Sequence, residues 1–239
     1  MTIGRVAHRG WEAIDPDVRR HFPHMAILGV SQIVGQSSEI KPIVDDGRTP
    51  VLCVHGLGGS AANFSGLRGY LWLKGTRRVF SVSIPGSLQL EEMAQVVSAA
   101  IAQVGVVCGQ SGDRSLDVVA HSQGGVVATL ACLDPNTRRR IRRLITMGSP
   151  LKGTHLARFA TTTVGLRPGS DLLARLEEAL EHRDRPDLVC YWSRSDVLML
   201  PPETATWPTA RNIELPGCTH YGYLVHPRTW RSIYRVLAS

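Results

Sequence analysis

The sequence predicts an α/β fold: a mostly parallel central sheet with helices on both faces. Three observations carry that expectation. Short runs rich in Val, Ile and Leu alternate along the chain with longer segments of helical spacing. The short runs are apolar at consecutive positions, which suits strands buried on both sides rather than one. Several are closed by glycine, proline or aspartate before the next segment begins.

The elements follow in order. Residues 1–45 are read as an N-terminal extension of one or two helices packed on the core, and "DDGRTP" as a turn. "VLCVH" (51–55) is a buried strand that runs into the glycine-rich loop "GLGGS". Residues 61–73 are helical, "RRVFSVSI" is a second strand, and Pro85-Gly86 ends it. "LEEMAQVVSAAIAQVGVVC" is a long amphipathic helix whose Glu91 and Glu92 complement the positive end of its dipole. "SLDVVAH" is the third strand and "QGGVVATLACL" its helix. "IRRLITMGSP", "DLVCYWSRSD" and "ARNIELPG" give three more strands, and "HPRTWRSIYRVL" closes the chain as a helix. Residues 153–186 interrupt the alternation and are read as a small lid-like insertion over the C-terminal edge of the sheet, where open α/β sheets bind ligands. The whole, 1–239, is one domain.

Composition narrows the function classes. The chain has 239 residues, 43% of them hydrophobic, enough for a sizeable core. Its net charge of +7 could suit an anionic partner. The one dense basic run, "RRRIRR", lacks interleaved aromatics and accompanies no nucleic-acid motif, so no nucleic-acid partner is expected. Five scattered cysteines form no CxxC pair and no zinc spacing; neither metal nor organic cofactor is expected. "MAILGVSQIVG" is too short to span a bilayer. The first 24 residues lack an apolar run of signal-peptide length, which suggests a cytoplasmic protein, or a secreted one if the natural N-terminus lies upstream. The oligomeric state is left open.

The chemistry concentrates at "SLDVVAHSQGGVVATLACL" (115–133), where a serine stands between a buried strand and a buried helix. A strand that turns sharply into a helix strains its turn residue and forces small residues two positions away; Ala120 and Gly124 are small. The hydroxyl of Ser122 would then stand above the sheet, beside helix N–H groups that favour developing negative charge. Alone the pattern is weak, but strand before and helix after are the context it requires. "HGLGGSAANF" follows the first strand, and the N–H groups of Leu57 and Gln123 are candidates for an oxyanion hole. Asp196 ends a strand at the edge that faces a site, whereas Asp171 suits a helix cap and Asp184 and Asp187 precede the strand. His220 lies in the loop after the last strand, while His226 begins a helix just before Pro227. His55 and His121 flank the site within other motifs and are not assigned as the base. The order Ser122, Asp196, His220 is nucleophile, acid, histidine.

With these residues in place, the chain resembles the lipases and esterases of the α/β-hydrolase fold, especially bacterial triacylglycerol-lipase-like enzymes. The resemblance rests on "VLCVHGLGGSAANF", "DVVAHSQGG", "LITMGSPLKGTHLA", "LRPGSDLLARL", "YWSRSDVLMLPP" and "PGCTHYGYLVHP", from about Val51 to the C-terminus. It departs at Ala120, where the family's motif has glycine, and at "GSPLKGT", where the family's "GTPHxGT" forms a wall of the site mouth. It implies a serine carboxylic-ester hydrolase working through an acyl-enzyme, with a small-molecule acyl ester or lipid as substrate. His55, Leu151, Leu156 and Phe159 are expected to touch that substrate. Two alternatives stay open: an acyltransferase of the same fold, and a catalytically silent ligand-binding relative.

Overall fold

The computed structural model describes residues 15–34, 40–110, 112–155, 165–167 and 169–239. Six strands form one sheet in the order β2-β1-β3-β4-β5-β6: β1 (Val51–Val54), β2 (Val79–Val82), β3 (Leu116–His121), β4 (Ile141–Met147), β5 (Asp187–Trp192) and β6 (Arg211–Glu214). Every pairing is parallel.

Alternate side chains of β1 to β5 enter different cores, as the two-residue strand period demands, while the edge strand β6 is largely exposed. Leu52, Val54, Phe80, Val118, Leu144 and Leu188 face one core with α3 (Leu90–Val107), α4 (Gln123–Ala131) and α6 (Asp171–Glu181). Val51, Cys53, Val79, Val119, Ile145 and Val189 face the other, with α2 (Ser65–Leu73) and α8 (Pro227–Leu237). Burial on both faces explains why the strands read as continuous apolar runs. α3 is long and apolar enough to cross a membrane by length and composition, yet Val97, Ile101 and Val104 are buried against the sheet.

Strand order places the site. From β1 the chain steps to one side, to β2, and then crosses to the other side, to β3. The loops after β1 and β3 therefore diverge at the switch point and leave a crevice at the carboxyl ends of the strands.

Several local features differ from the sequence expectation. Helix α5 (Pro135–Arg140) precedes β4, capped by Asp134, whose carboxylate accepts from the N–H groups of Asn136 and Thr137. Within the interval 153–186, α6 is the crossover helix between β4 and β5. Its Leu172, Leu176 and Leu180 are buried in the first core, so this helix belongs to the cover of the sheet rather than to a lid. Residues 15–34 of the N-terminal extension include one helix, α1 (Pro16–Val34). A short helix, α7 (Gly222–Val225), precedes α8.

The basic run is structural. Arg138 is buried and donates to the carbonyl of Cys132, Arg142 grips the buried Asp117 carboxylate with two donors, and Arg143 pairs with Asp187. All five cysteines are free, and burial pushes the thiols of Cys53, Cys132 and Cys218 up to about 12. Thiols so raised are inert at neutral pH.

Candidate active site

The turn from β3 into α4 holds Ser122 at φ 54°, ψ −127°, one of two described non-glycine residues with positive φ. Such a conformation persists only where the surroundings enforce it. Here Ser122 N–H donates to the Met147 carbonyl at 2.9 Å, and the Ser122 carbonyl accepts from Gly125 N–H at 3.0 Å. The turn is also sterically exclusive. A Cβ on Gly124 would lie 2.4 Å from the His55 carbonyl oxygen and 2.5 Å from that of Val54, and one on Gly56 would lie 2.8 Å from the Ser122 Cβ. Ala120 is fully buried, and the side chain it carries is tolerated at the position where the family motif has glycine.

Three side chains singled out in the sequence meet above the sheet. Ser122 Oγ is 2.9 Å from His220 Nε2. His220 Nδ1 is 2.9 and 3.1 Å from the two oxygens of Asp196. An ionised carboxylate only accepts, so Nδ1 carries the proton and Nε2 is left to accept from the serine hydroxyl. His220 and Asp196 are 3% and 1% exposed, so water competes little for this chain of bonds. Asp196 lies four residues beyond β5, in a tight turn where its N–H donates to Ser193 and its Oδ1 accepts from Leu198 N–H. Gly148, at φ +53°, leaves room for the pair: a Cβ there would sit 2.7 Å from Asp196 Oδ2 and 3.3 Å from His220 Nδ1.

Leu57 and Gln123 flank the serine in the same cavity. Among the described residues, no protein acceptor takes the N–H of either, which leaves both donors free to meet an oxyanion. Gln123 is the first residue of α4, so its N–H also lies at the positive end of a helix.

The cavity measures about 470 Å³ and opens over Ser122. Leu166, Leu198, Met199 and Leu224 give it an apolar wall, and Pro150 and Thr154 contribute from the "GSPLKGT" segment. Two expected substrate contacts lie elsewhere. Leu151 is buried in the first core and does not line the cavity. His55 is a strut: its Nε2 accepts from Ile84 N–H and its Nδ1 donates to the Gly56 carbonyl, each at 2.8 Å, with neither nitrogen left for a substrate. Leu156 and Phe159 lie outside the described residues.

Three histidines brace the His220 loop; of these the sequence placed only His121 beside the site, without this role. His121 Nε2 donates to the His220 carbonyl at 2.9 Å, and burial holds its pKa well below the ordinary value. His21 Nε2, from α1, accepts from His220 N–H at 3.0 Å. His24 Nδ1, also from α1, pairs with Thr219 Oγ1 at 2.7 Å. The spacing of His21 and His24 puts them on one helix face, a signal present in the sequence; their partners are some 200 residues away and are not.

A parallel sheet with a strained serine at its switch point, and a histidine and aspartate from later loops, defines a lipase- or esterase-like α/β-hydrolase. Within that class the affiliation is specific: a model of the palmitoyl protein thioesterase family matches residues 50–183, and the chain belongs to that family. The match includes Leu57, Ser122 and Gln123 and ends before Asp196 and His220. Among solved structures, the chain is similar to mature Bacillus licheniformis lipase BlEst2 at TM-score 0.65 and 16% identity, over 85% of this chain and 99% of that one. It is similar to Aspergillus fumigatus lipase B at 0.60 and 17%, over 82% of this chain and 54% of that one. A membrane phospholipase A, described as a bacterial virulence factor, matches at 0.57 and 17%, over 99% of this chain and 96% of that one. At these identities the likeness is one of fold.

Proposed function

We propose that the chain hydrolyses acyl esters, with Ser122 as nucleophile, His220 as base and Asp196 as the group that orients the histidine. The observation that carries this reading is the unbroken series Ser122 Oγ, His220 Nε2, His220 Nδ1, Asp196, with no gap above 3.1 Å. Ser122 attacks the ester carbonyl while His220 Nε2 takes its proton; Asp196 stabilises the cationic ring that results. The N–H groups of Leu57 and Gln123 receive the oxyanion. The proton passes from Nε2 to the departing alcohol; a water deprotonated by the same nitrogen then attacks the acyl group, and Nε2 returns that proton to Ser122 Oγ as the acid leaves. Beyond the substrate and that water, each step uses side chains and N–H groups of this chain.

The apolar wall favours an alkyl acyl group over a charged one. The family match favours a second reading, in which the leaving group is a thiol and the substrate an acyl thioester. The attack is the same; only the atom protonated by His220 changes, and a thiolate needs that proton less.

The test is hydrolysis of p-nitrophenyl esters of two to sixteen carbons and of an S-palmitoyl peptide, by wild type and Ser122→Ala. The expected outcome is a loss of roughly three orders of magnitude or more in the variant, with its circular dichroism unchanged. Equal turnover by both proteins would remove Ser122 from the mechanism. Preference for the peptide over the matched oxygen ester would select the thioester.

A further inference from the structure

We infer that α1 is the acyl-length determinant of this enzyme, and that Gly29 is the position on it that leaves room for a long chain. The inference rests on the acyl-hydrolase reading above. α1 lies outside residues 50–183, the part of the chain that matches the family. It nonetheless supplies one wall of the cavity over Ser122, through Met25, Leu28 and Gly29.

The placement of α1 is specific. Positions 21, 24, 25, 28 and 29 follow the i, i+3, i+4, i+7, i+8 rule and form one stripe of the helix. The first two are His21 and His24, which bond to His220 N–H and to Thr219 Oγ1. The next three face the cavity. One stripe thus clasps the loop of the histidine and walls the cavity beside it. The wall cannot slide along the site without breaking the two bonds that hold it.

Within that wall the side chains are unequal. Leu28 is buried, Met25 is half exposed, and Gly29 offers no side chain at all. Among the described residues, a Cβ built on Gly29 meets no heavy atom within 4 Å. Glycine in a helix interior costs about 1 kcal/mol relative to alanine. Close packing against the described residues does not require it here. What the missing side chain leaves is open space along the path of an alkyl chain away from Ser122.

The test uses Gly29→Leu and Gly29→Phe. Neither Cβ meets an obstacle among the described residues, and either residue is a better helix former than glycine, so folding is preserved. The readout is the ratio of kcat/KM for the sixteen-carbon p-nitrophenyl ester to that for the four-carbon ester. We expect the ratio to fall at least tenfold in both variants, and to rise in Met25→Ala, which widens the same wall. Binding of cis-parinaric acid, an eighteen-carbon fluorescent fatty acid, gives a readout independent of turnover. Its Kd is expected to rise at least tenfold in Gly29→Phe. If wild type is inert on every ester but binds the fatty acid, and Gly29→Phe weakens that binding, the wall assignment stands and the hydrolase reading fails. If neither the ester ratio nor the Kd changes in Gly29→Phe, the assignment is overturned, whatever the activity of the wild type.

Discussion

Backbone geometry at the turn from β3 to α4 depends on single atoms. Gly124 has two carbonyl oxygens, of Val54 and His55, at 2.5 and 2.4 Å from where its Cβ would be. Both belong to the backbone of β1 and its loop, which cannot rotate aside as a side chain would. Gly124→Ala must therefore push β1 from α4, at a cost of about 1–3 kcal/mol. It would also shift the loop that carries Leu57. The expected outcome is a lower Tm together with a loss of ester turnover beyond what the stability change explains; an unchanged Tm would mean that the turn relaxes freely. The residue types here were legible in the sequence, because a strand that turns sharply into a helix at a serine admits only small residues two positions away. The roles of His55 and Leu151 were not. Both lie next to motif residues in sequence, yet His55 spends both ring nitrogens on backbone groups and Leu151 turns into the core.

Among the elements, helices and strands were legible to different depths. α3 matched its sequence boundaries to within a residue, since Gln89 and Glu92 cap its start and its apolar stripe ends at Val107. Strands were read too long: "RRVFSVSI" pairs only over Val79–Val82, and Arg78 and Ile84 just beyond its ends are as buried as the paired residues, so burial does not mark where pairing stops. α5 was missed although Asp134 and Pro135 are a cap and a first-turn proline, since six residues give no periodicity to detect. A glycine pair in α2 allows a test at this scale. Gly66 faces the Trp230 ring, with Cζ2 2.4 Å from its would-be Cβ, while Gly69 faces no described atom within 4 Å. The same substitution should therefore have opposite signs one turn apart. Gly69→Ala is expected to stabilise by about 0.5–1 kcal/mol and Gly66→Ala to destabilise, read from urea midpoints. Equal shifts would mean that α8, which carries Trp230, is not packed on α2 as described.

The molecule as a whole holds several histidines neutral around its site, which ties its stability to pH. Burial lowers the pKa of His55 and, much further, that of His121, where the neighbouring His220 and His55 add to the effect and the hydrogen bond to the His220 carbonyl opposes it. His24 and His226 are shifted the same way by burial and by neighbouring charge. The sign follows from linkage. Above the unfolded histidine value of about 6.5, neither state binds these protons and stability is level. Below it the unfolded chain takes up protons that the folded chain refuses, so stability falls with pH until the lowered folded values are reached. Each buried histidine contributes a slope of up to about 1.4 kcal/mol per pH unit. Asp117 acts in the opposite sense: burial raises its carboxyl, so on acidification the folded state gains a proton there before the unfolded one does. Substitution separates these effects. His121→Gln keeps an amide donor near the position of Nε2, facing the His220 carbonyl, and removes the titrating ring. Urea unfolding at pH 7.5 and 5.5 should show the wild type losing stability over that interval. In His121→Gln the loss should shrink by about 1.4 kcal/mol, one pH unit below the unfolded value. An undiminished loss would place the acid sensitivity in His55 and the pair of His24 and His226 instead. The fold would then be opened from the α1 side, where His24 faces His226 at 5.7 Å, rather than from the centre of the sheet.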